Sequence, residues 1–192
     1  MGSVQLRSTT TFRLESKGYN TPVHLHNFYS SPQHNYFTHP KFVKGDAPIH
    51  HHQSLELHPS RGIKGDRFET GRYPITLFSL EVADVIQEYH ARQIDVAQYR
   101  RNIIISGVNL CELIGQRFYL GAVLFEGMAH CNPCPWMNAI IGAKTYALMK
   151  GRGGLRVKVI EGGEIVLGAT LLKSDTMLVK EASEPMKISR LP

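Results

Sequence analysis

Short apolar runs of strand length, separated by glycine and proline turns, recur along this chain and constrain its fold more than any other feature. Val23, Leu25 and Asn27 alternate as a first strand. Runs at Ser54–Leu57, Ile75–Phe78, Ile103–Ile105, Arg117–Leu120, Val123–Met128, Leu155–Val159 and Ile165–Leu167 follow. Such runs, rich in β-branched and aromatic side chains and bounded by turn residues, read as strands. Gly121 marks one turn, and Gly162-Gly163 is expected to fold the last two runs into a hairpin. Helical spacing is scarce. Ser79 caps a segment whose Val82, Val85, Ile86 and Tyr89 share one face. Asp95 opens a short helical turn, and Asn109 with Glu112 forms a capping-box-like start that Gly115 ends. The longest helical pattern runs from Trp136 to Lys150. Many strands and few helices predict a mainly β fold with peripheral helices (α+β), built as an antiparallel barrel or folded sheet.

At 192 residues the chain suits one domain with a proper core. Polar stretches at either end predict a flexible tail over 1–21, the domain over 22–172 and a second tail over 173–192. No apolar run reaches membrane-spanning length, and no secretory hydrophobic region opens the sequence. Three cysteines, an odd number, point to a reducing compartment, here the cytoplasm. The net charge of +6 is modest, and the arginines are neither clustered nor interleaved with aromatics. That pattern argues against nucleic acid. Several arginines sit instead beside glycines, at Arg61-Gly62, Gly71-Arg72 and Gly151-Arg152-Gly153. There they suit a compact anion such as a phosphate ester, or serve as solvated turn residues.

The run Ala129-His130-Cys131-Asn132-Pro133-Cys134-Pro135-Trp136-Met137 concentrates the chemistry. Pro135 fits the first position of the helix and Gly151 the residue past its end, which places Cys134 at the N-cap. A thiol there, beneath unpaired N–H groups, is expected to favour its thiolate, the form that attacks or binds metal. Three readings of the pair stand side by side: buried small hydrophobes, half of a zinc site, or a thioredoxin-like dithiol. Zinc lacks further ligands at paired spacing. The dithiol lacks a leading βαβ unit. Cys111, inside a helical segment, reads as structural.

Two further groups carry candidate contacts. Strand alternation places Arg100 and Asn102 on one face and points Arg101 away. From His34 to His52 there are five histidines, three of them consecutive. Consecutive side chains diverge, so a solvent-facing or pocket-lining loop is expected rather than a metal site.

An ordered series of motifs then resembles a known family. Tyr99-Arg100-Arg101-Asn102-Ile103-Ile104-Ile105-Ser106-Gly107, Leu113-Ile114-Gly115, Phe118, Gly121, Phe125-Glu126-Gly127 and Asn132-Pro133-Cys134 succeed one another as in the C-terminal domain of molybdenum cofactor sulfurases, the MOSC domain. Arg61-Gly62-Ile63-Lys64-Gly65-Asp66-Arg67 and Lys150-Gly151-Arg152-Gly153-Gly154-Leu155 match its small stand-alone members. The resemblance implies a β-barrel that binds the molybdenum cofactor (molybdopterin), with Cys134 as catalytic residue and molybdenum ligand. It implies that Arg67, Arg100, Asn102, Asn132, Arg152 and Gly153 hold the cofactor, and that His34 and Asn35 edge the pocket. The activity implied is reduction of small N-hydroxylated substrates such as amidoximes. The alternative is a persulfide carrier or a cofactor-delivery module without turnover. Three cysteines cannot hold a standard iron–sulfur cluster, and no dinucleotide fingerprint is present. A separate electron-donor protein is therefore expected, with no nucleic acid or membrane partner and a monomeric state.

Overall fold

The computed structural model describes residues 18–34 and 45–182. Its longest strand, β1 (Tyr19–Ser30), begins inside the stretch read as a tail and holds the architecture together. Tyr19–Leu25 pair antiparallel with β10 (Gly168–Ser174). After a bulge between Leu25 and Asn27, β1 pairs with β5 (Ile103–Ser106). Its last residues pair with β2 (His50–His52), which turns part of the histidine-rich segment into an edge strand. The bulge bends β1 so that one strand serves two neighbours.

The remaining barrel strands are β4 (Ile75–Ser79), β6 (Arg117–Leu120), β7 (Val123–His130) and β8 (Leu155–Glu161). Order around the wall is β10-β6-β7-β8-β4-β5-β1, and the β1–β10 pairing closes it into seven strands. Only β4 and β5 run parallel, joined by the crossover helix α1 (Leu80–His90). The expected barrel is present. The expected hairpin at Gly162-Gly163 is not. Strand β9 (Gly163–Val166) pairs with β3 (Ser54–Leu57) in a separate two-stranded sheet, whose Leu55, Leu57 and Ile165 join the barrel core.

Strand parity explains two cores. Leu77, Ile103, Ile105, Leu155, Val157 and Phe125 fill the interior, where Phe118 and Phe125 stack with centroids 5.8 Å apart. Phe78 and Ile104, of opposite parity, face outwards under α1. There they pack with Val82, Ile86, Tyr99 and Met137 in a second apolar layer. Ser79 caps α1 by accepting from the Val82 amide at 3.2 Å. Tyr89, assigned from its spacing to the packed face, is exposed instead.

The segment after Cys134 departs from the single helix expected. It forms α2 (Trp136–Ile140) and α3 (Thr145–Leu148), interrupted at Gly142 (φ 151) and Lys144 (φ 74). The His90 ring fills the space where a Gly142 side chain would stand, 2.6 Å from its ideal Cβ position. His90 Nε2 also lies 2.9 Å from Thr145 Oγ1. Tertiary contact with α1 thus stops a helix that local periodicity would continue.

Beyond β10 the chain stays packed at least to Ala182. Leu178 is buried in the barrel core, and Val179 exchanges bonds with Asn109 N and the Glu112 carboxylate. Glu112 therefore does not close a capping box. Asn109 alone caps the short 3-10 helix Leu110–Leu113.

Candidate functional site

A cavity of about 170 Å³ lies where the outer apolar layer meets the β7–α2 connection. Cys134, half-buried, and Cys131, buried, line it together with Asn132. Four arginines line it too: Arg67, Arg100, Arg101 and Arg156. No carboxylate stands among its described lining residues. A smaller hollow adjoins it, where Asp66 and Asn102 appear beside Arg67, Arg100 and Arg101.

Cys134 does not cap a helix. Pro135 takes that position without a side-chain hydrogen bond, and the Cys134 carbonyl accepts from Met137 N at 3.0 Å. With only five residues in α2, few aligned peptide dipoles act on the thiol. The thiol shares the cavity wall with guanidinium groups, on a connection held in shape from below.

Arg101 does the holding. Its Nε donates to Gly153 O at 3.0 Å, Nη1 to Tyr99 O at 2.9 Å and Nη2 to Cys131 O at 3.3 Å. One buried guanidinium thereby joins three separate segments through neutral acceptors, and it keeps its full charge beside the cavity. Gly153 completes the packing. A Cβ there would stand 2.5 Å from Cys131 O and 2.7 Å from Pro133 Cδ, so only glycine permits the two loops to touch. Cys131 N also donates to Gly154 O at 2.8 Å.

Strand parity misplaced Arg101, because β5 starts only at Ile103. Tyr99 ends a 3-10 helix, and Arg100 is its left-handed cap with φ 58. All of Arg100, Arg101 and Asn102 are buried. Arg100 Nη2 donates to Ser31 Oγ at 3.0 Å and to Gln33 O at 2.6 Å. The Asn102 amide is saturated by the framework. Its Oδ1 accepts from Thr76 N (3.0 Å) and Thr76 Oγ1 (2.8 Å), while Nδ2 donates to Tyr29 O (3.1 Å) and Asp66 Oδ2 (3.3 Å). It therefore organises the site rather than offering a ligand contact.

Asp66, which sequence reasoning passed over, is the counter-charge of this floor. Its carboxylate accepts from Ser31 N (3.0 Å) and Phe68 N (2.9 Å) and lies 3.6 Å from Arg67 Nη1. The Arg67 guanidinium also covers the Phe68 ring at 4.7 Å. Burial, and then the charges of Arg67 and Arg100, pull the His34 imidazole down to about 4. His34 is thus a neutral hydrogen-bonding group at neutral pH and adds no further cation. Its expected companion Asn35 lies outside the described residues.

Arg152, expected at the cofactor, turns elsewhere. Its Nη1 donates to Ala182 O at 3.4 Å and approaches Glu181 Oε1 at 3.9 Å. Gly153 does not line the cavity either; it supports the thiol-bearing loop from behind. Arg156 was missed, although the inward parity of Leu155 and Val157 already directs it outwards.

The donor set suits an anionic complex of a soft-liganded metal. One accessible thiol offers sulfur, and guanidinium groups offer forks to oxyanions. Among the described residues no cluster of three or more His, Cys, Asp or Glu could hold a bare metal ion, so zinc finds no site there.

The comparisons with known proteins bear on this geometry. Residues 45–171 match the MOSC domain model. The chain belongs to the MOSC domain family. That family is linked to molybdenum-cofactor binding. None of the curated proteins matches the chain. Among solved structures, the YUAD protein from Bacillus subtilis superposes with a TM-score of 0.64 at 15% identity, over 83% of this chain and 100% of that one. YiiM from Geobacillus stearothermophilus gives 0.57 at 15% identity, over 79% and 74%. YiiM from Escherichia coli gives 0.51 at 18% identity, over 88% and 73%. At these identities the likeness establishes the MOSC fold. No helix of the described residues is long and apolar enough to cross a membrane.

Proposed function

We propose that this MOSC protein binds the molybdenum cofactor in the cavity beside Cys134 and reduces small N-hydroxylated compounds. One observation carries the reading: a single half-buried thiol shares a cavity with four guanidinium groups, and no carboxylate stands among the described lining residues. The Cys134 thiolate supplies the protein's sulfur ligand, and Arg67, Arg100 and Arg101 hold the anionic part of the cofactor. When bound, the cofactor supplies a two-electron centre able to take oxygen from an N–O group. The chain's own residues bind, orient and shield. Met137 and Tyr99 form the apolar side of the cavity, and neutral His34 exchanges a hydrogen bond without repelling the arginines. Electrons come from a separate donor protein.

Elemental analysis of the purified protein, with Cys134→Ser and Cys131→Ser beside it, tests the reading. Stoichiometric molybdenum, lost in Cys134→Ser and largely kept in Cys131→Ser, is the expected result. Loaded wild type should also convert an amidoxime to the amidine with a viologen reductant, faster than the Cys134→Ser control. Labile sulfur without metal would transfer first place to a persulfide carrier, which uses the same thiol. Equal loss from both substitutions would mean that the two cysteines act as a pair.

A further inference from the structure

Two arginines, one of them on the cavity wall, converge on one aromatic ring. The Arg72 guanidinium carbon lies 5.3 Å from the Tyr73 ring centroid, and that of Arg156 lies 5.4 Å from the same centroid. Arg156 lines the Cys134 cavity, whereas Arg72 is exposed. Like charges gathered at one ring repel, and a ring quadrupole orients them without neutralising them. Neither guanidinium makes a hydrogen bond or ion pair among the described residues. The nearby carboxylates are engaged elsewhere. Glu69 takes Arg61 and Gly65 N, and Asp66 takes Ser31 N, Phe68 N and Asn102.

We infer that Arg72, Tyr73 and Arg156 form an oxyanion subsite at the mouth of the cavity, which selects substrates bearing a carboxylate or phosphate. The inference rests on the reading that substrate enters at this cavity. The guanidinium groups grade from buried to exposed. Arg100 and Arg101 are each 9% exposed on the inner wall, Arg156 is half-buried, and Arg72 stands in solvent. The inner members serve the cofactor; the outer pair is left to face what comes in. Each fork lies over the Tyr73 ring, which keeps the two charges together. Such a subsite binds the anion of the substrate away from the thiol, so it acts on affinity and choice of substrate rather than on the chemical step.

The cofactor's own phosphate is a second source of the same anion chemistry, and the test separates the two. Benzoate and its neutral isostere benzamide are titrated calorimetrically against cofactor-free protein, then against molybdenum-loaded protein. The expected result is a preference of about tenfold for benzoate at low salt in both forms, since exposed ion pairs contribute severalfold each. It should shrink in molar salt as screening shortens the reach of the charges. In Arg72→Met and Arg156→Met the preference should fall severalfold, while Arg72→Lys and Arg156→Lys, which keep the charge, should retain most of it. In turnover, a para-carboxylated amidoxime should show a lower KM than benzamidoxime, and the two KM values should converge in the Met variants. Absence of preference in wild type, or a preference untouched in both Met variants, overturns the inference. So does a preference that vanishes on loading, which would assign the pair to the cofactor phosphate. Persistence of the binding preference in a protein that reduces neither amidoxime would support the subsite while refuting the reductase reading.

Discussion

Arg101 illustrates how one side chain can hold both a fold and a charge. Its three bonds run to carbonyls of Tyr99, Cys131 and Gly153, and among the described residues its charge meets no acid. Arg101→Met leaves those carbonyls without their donor and should lower unfolding stability by about 2–4 kcal/mol. Arg101→Lys should recover part of this, since an ammonium cannot reach three acceptors in the plane of a fork. Arg100→Met should affect stability less and cofactor retention more, because its Nη2 donates to the Ser31–Gln33 segment at the cavity edge. Urea titration of the cofactor-free variants, followed by molybdenum content of the loaded ones, separates the two roles. Larger destabilisation from Arg100→Met than from Arg101→Met would reverse this assignment.

At the scale of elements, the site depends on the closeness of two loops. The β7–α2 connection and the Gly151–Gly154 loop meet at Gly153, where any side chain would intrude on Cys131 and Pro133. Gly153→Ala should force the thiol-bearing connection outwards, costing about 1–3 kcal/mol as an overpacked contact. The buried Cys131 should then react measurably with iodoacetamide in the native protein, where in wild type its burial should protect it. Unchanged alkylation of Cys131 in Gly153→Ala would show that the loops separate without moving it. The broken α2–α3 pair adds a second constraint. Arg92 donates to Ile141 O, and His90 sits over Gly142, so α1 holds the far end of the connection.

For the whole molecule, acid should loosen the fold through its histidines. His26, His34, His52 and His90 are all held below their ordinary value of 6.5, in each case first by burial. The folded state therefore binds protons less readily than the unfolded chain. Their contribution to stability is fully present above pH 6.5 and is lost as pH falls through the folded values, which for His34 reach about 4. Denaturation midpoints should fall between pH 7 and pH 4.5, and His34→Gln should flatten part of that slope. NMR titration of the His34 ring should show it neutral at pH 6. A ring already protonated at that pH would contradict the burial that sets its environment.

Periodicity, capping and the order of motifs determined much of this protein by themselves. Strand parity located most barrel strands, Ser79, Asp95 and Asn109 marked their helix starts, and the motif series identified the MOSC family. Each of these signals depends on residues a few positions apart, so the sequence contains it entire. Tertiary structure alone decided where long-range partners lie. It paired β9 with β3 instead of β8, because Leu55, Leu57 and Ile165 join the barrel core. It stopped the Trp136 helix where His90 occupies the space beside Gly142. It directed Arg152 to Glu181 and Arg101 to the cysteine loop, and it saturated Asn102 with Thr76, Tyr29 and Asp66. A long polar side chain reaches whatever acceptor the fold brings near it, and when buried it must find one. Local sequence names the donor; the acceptor lies tens of residues away and becomes its partner only when the barrel closes.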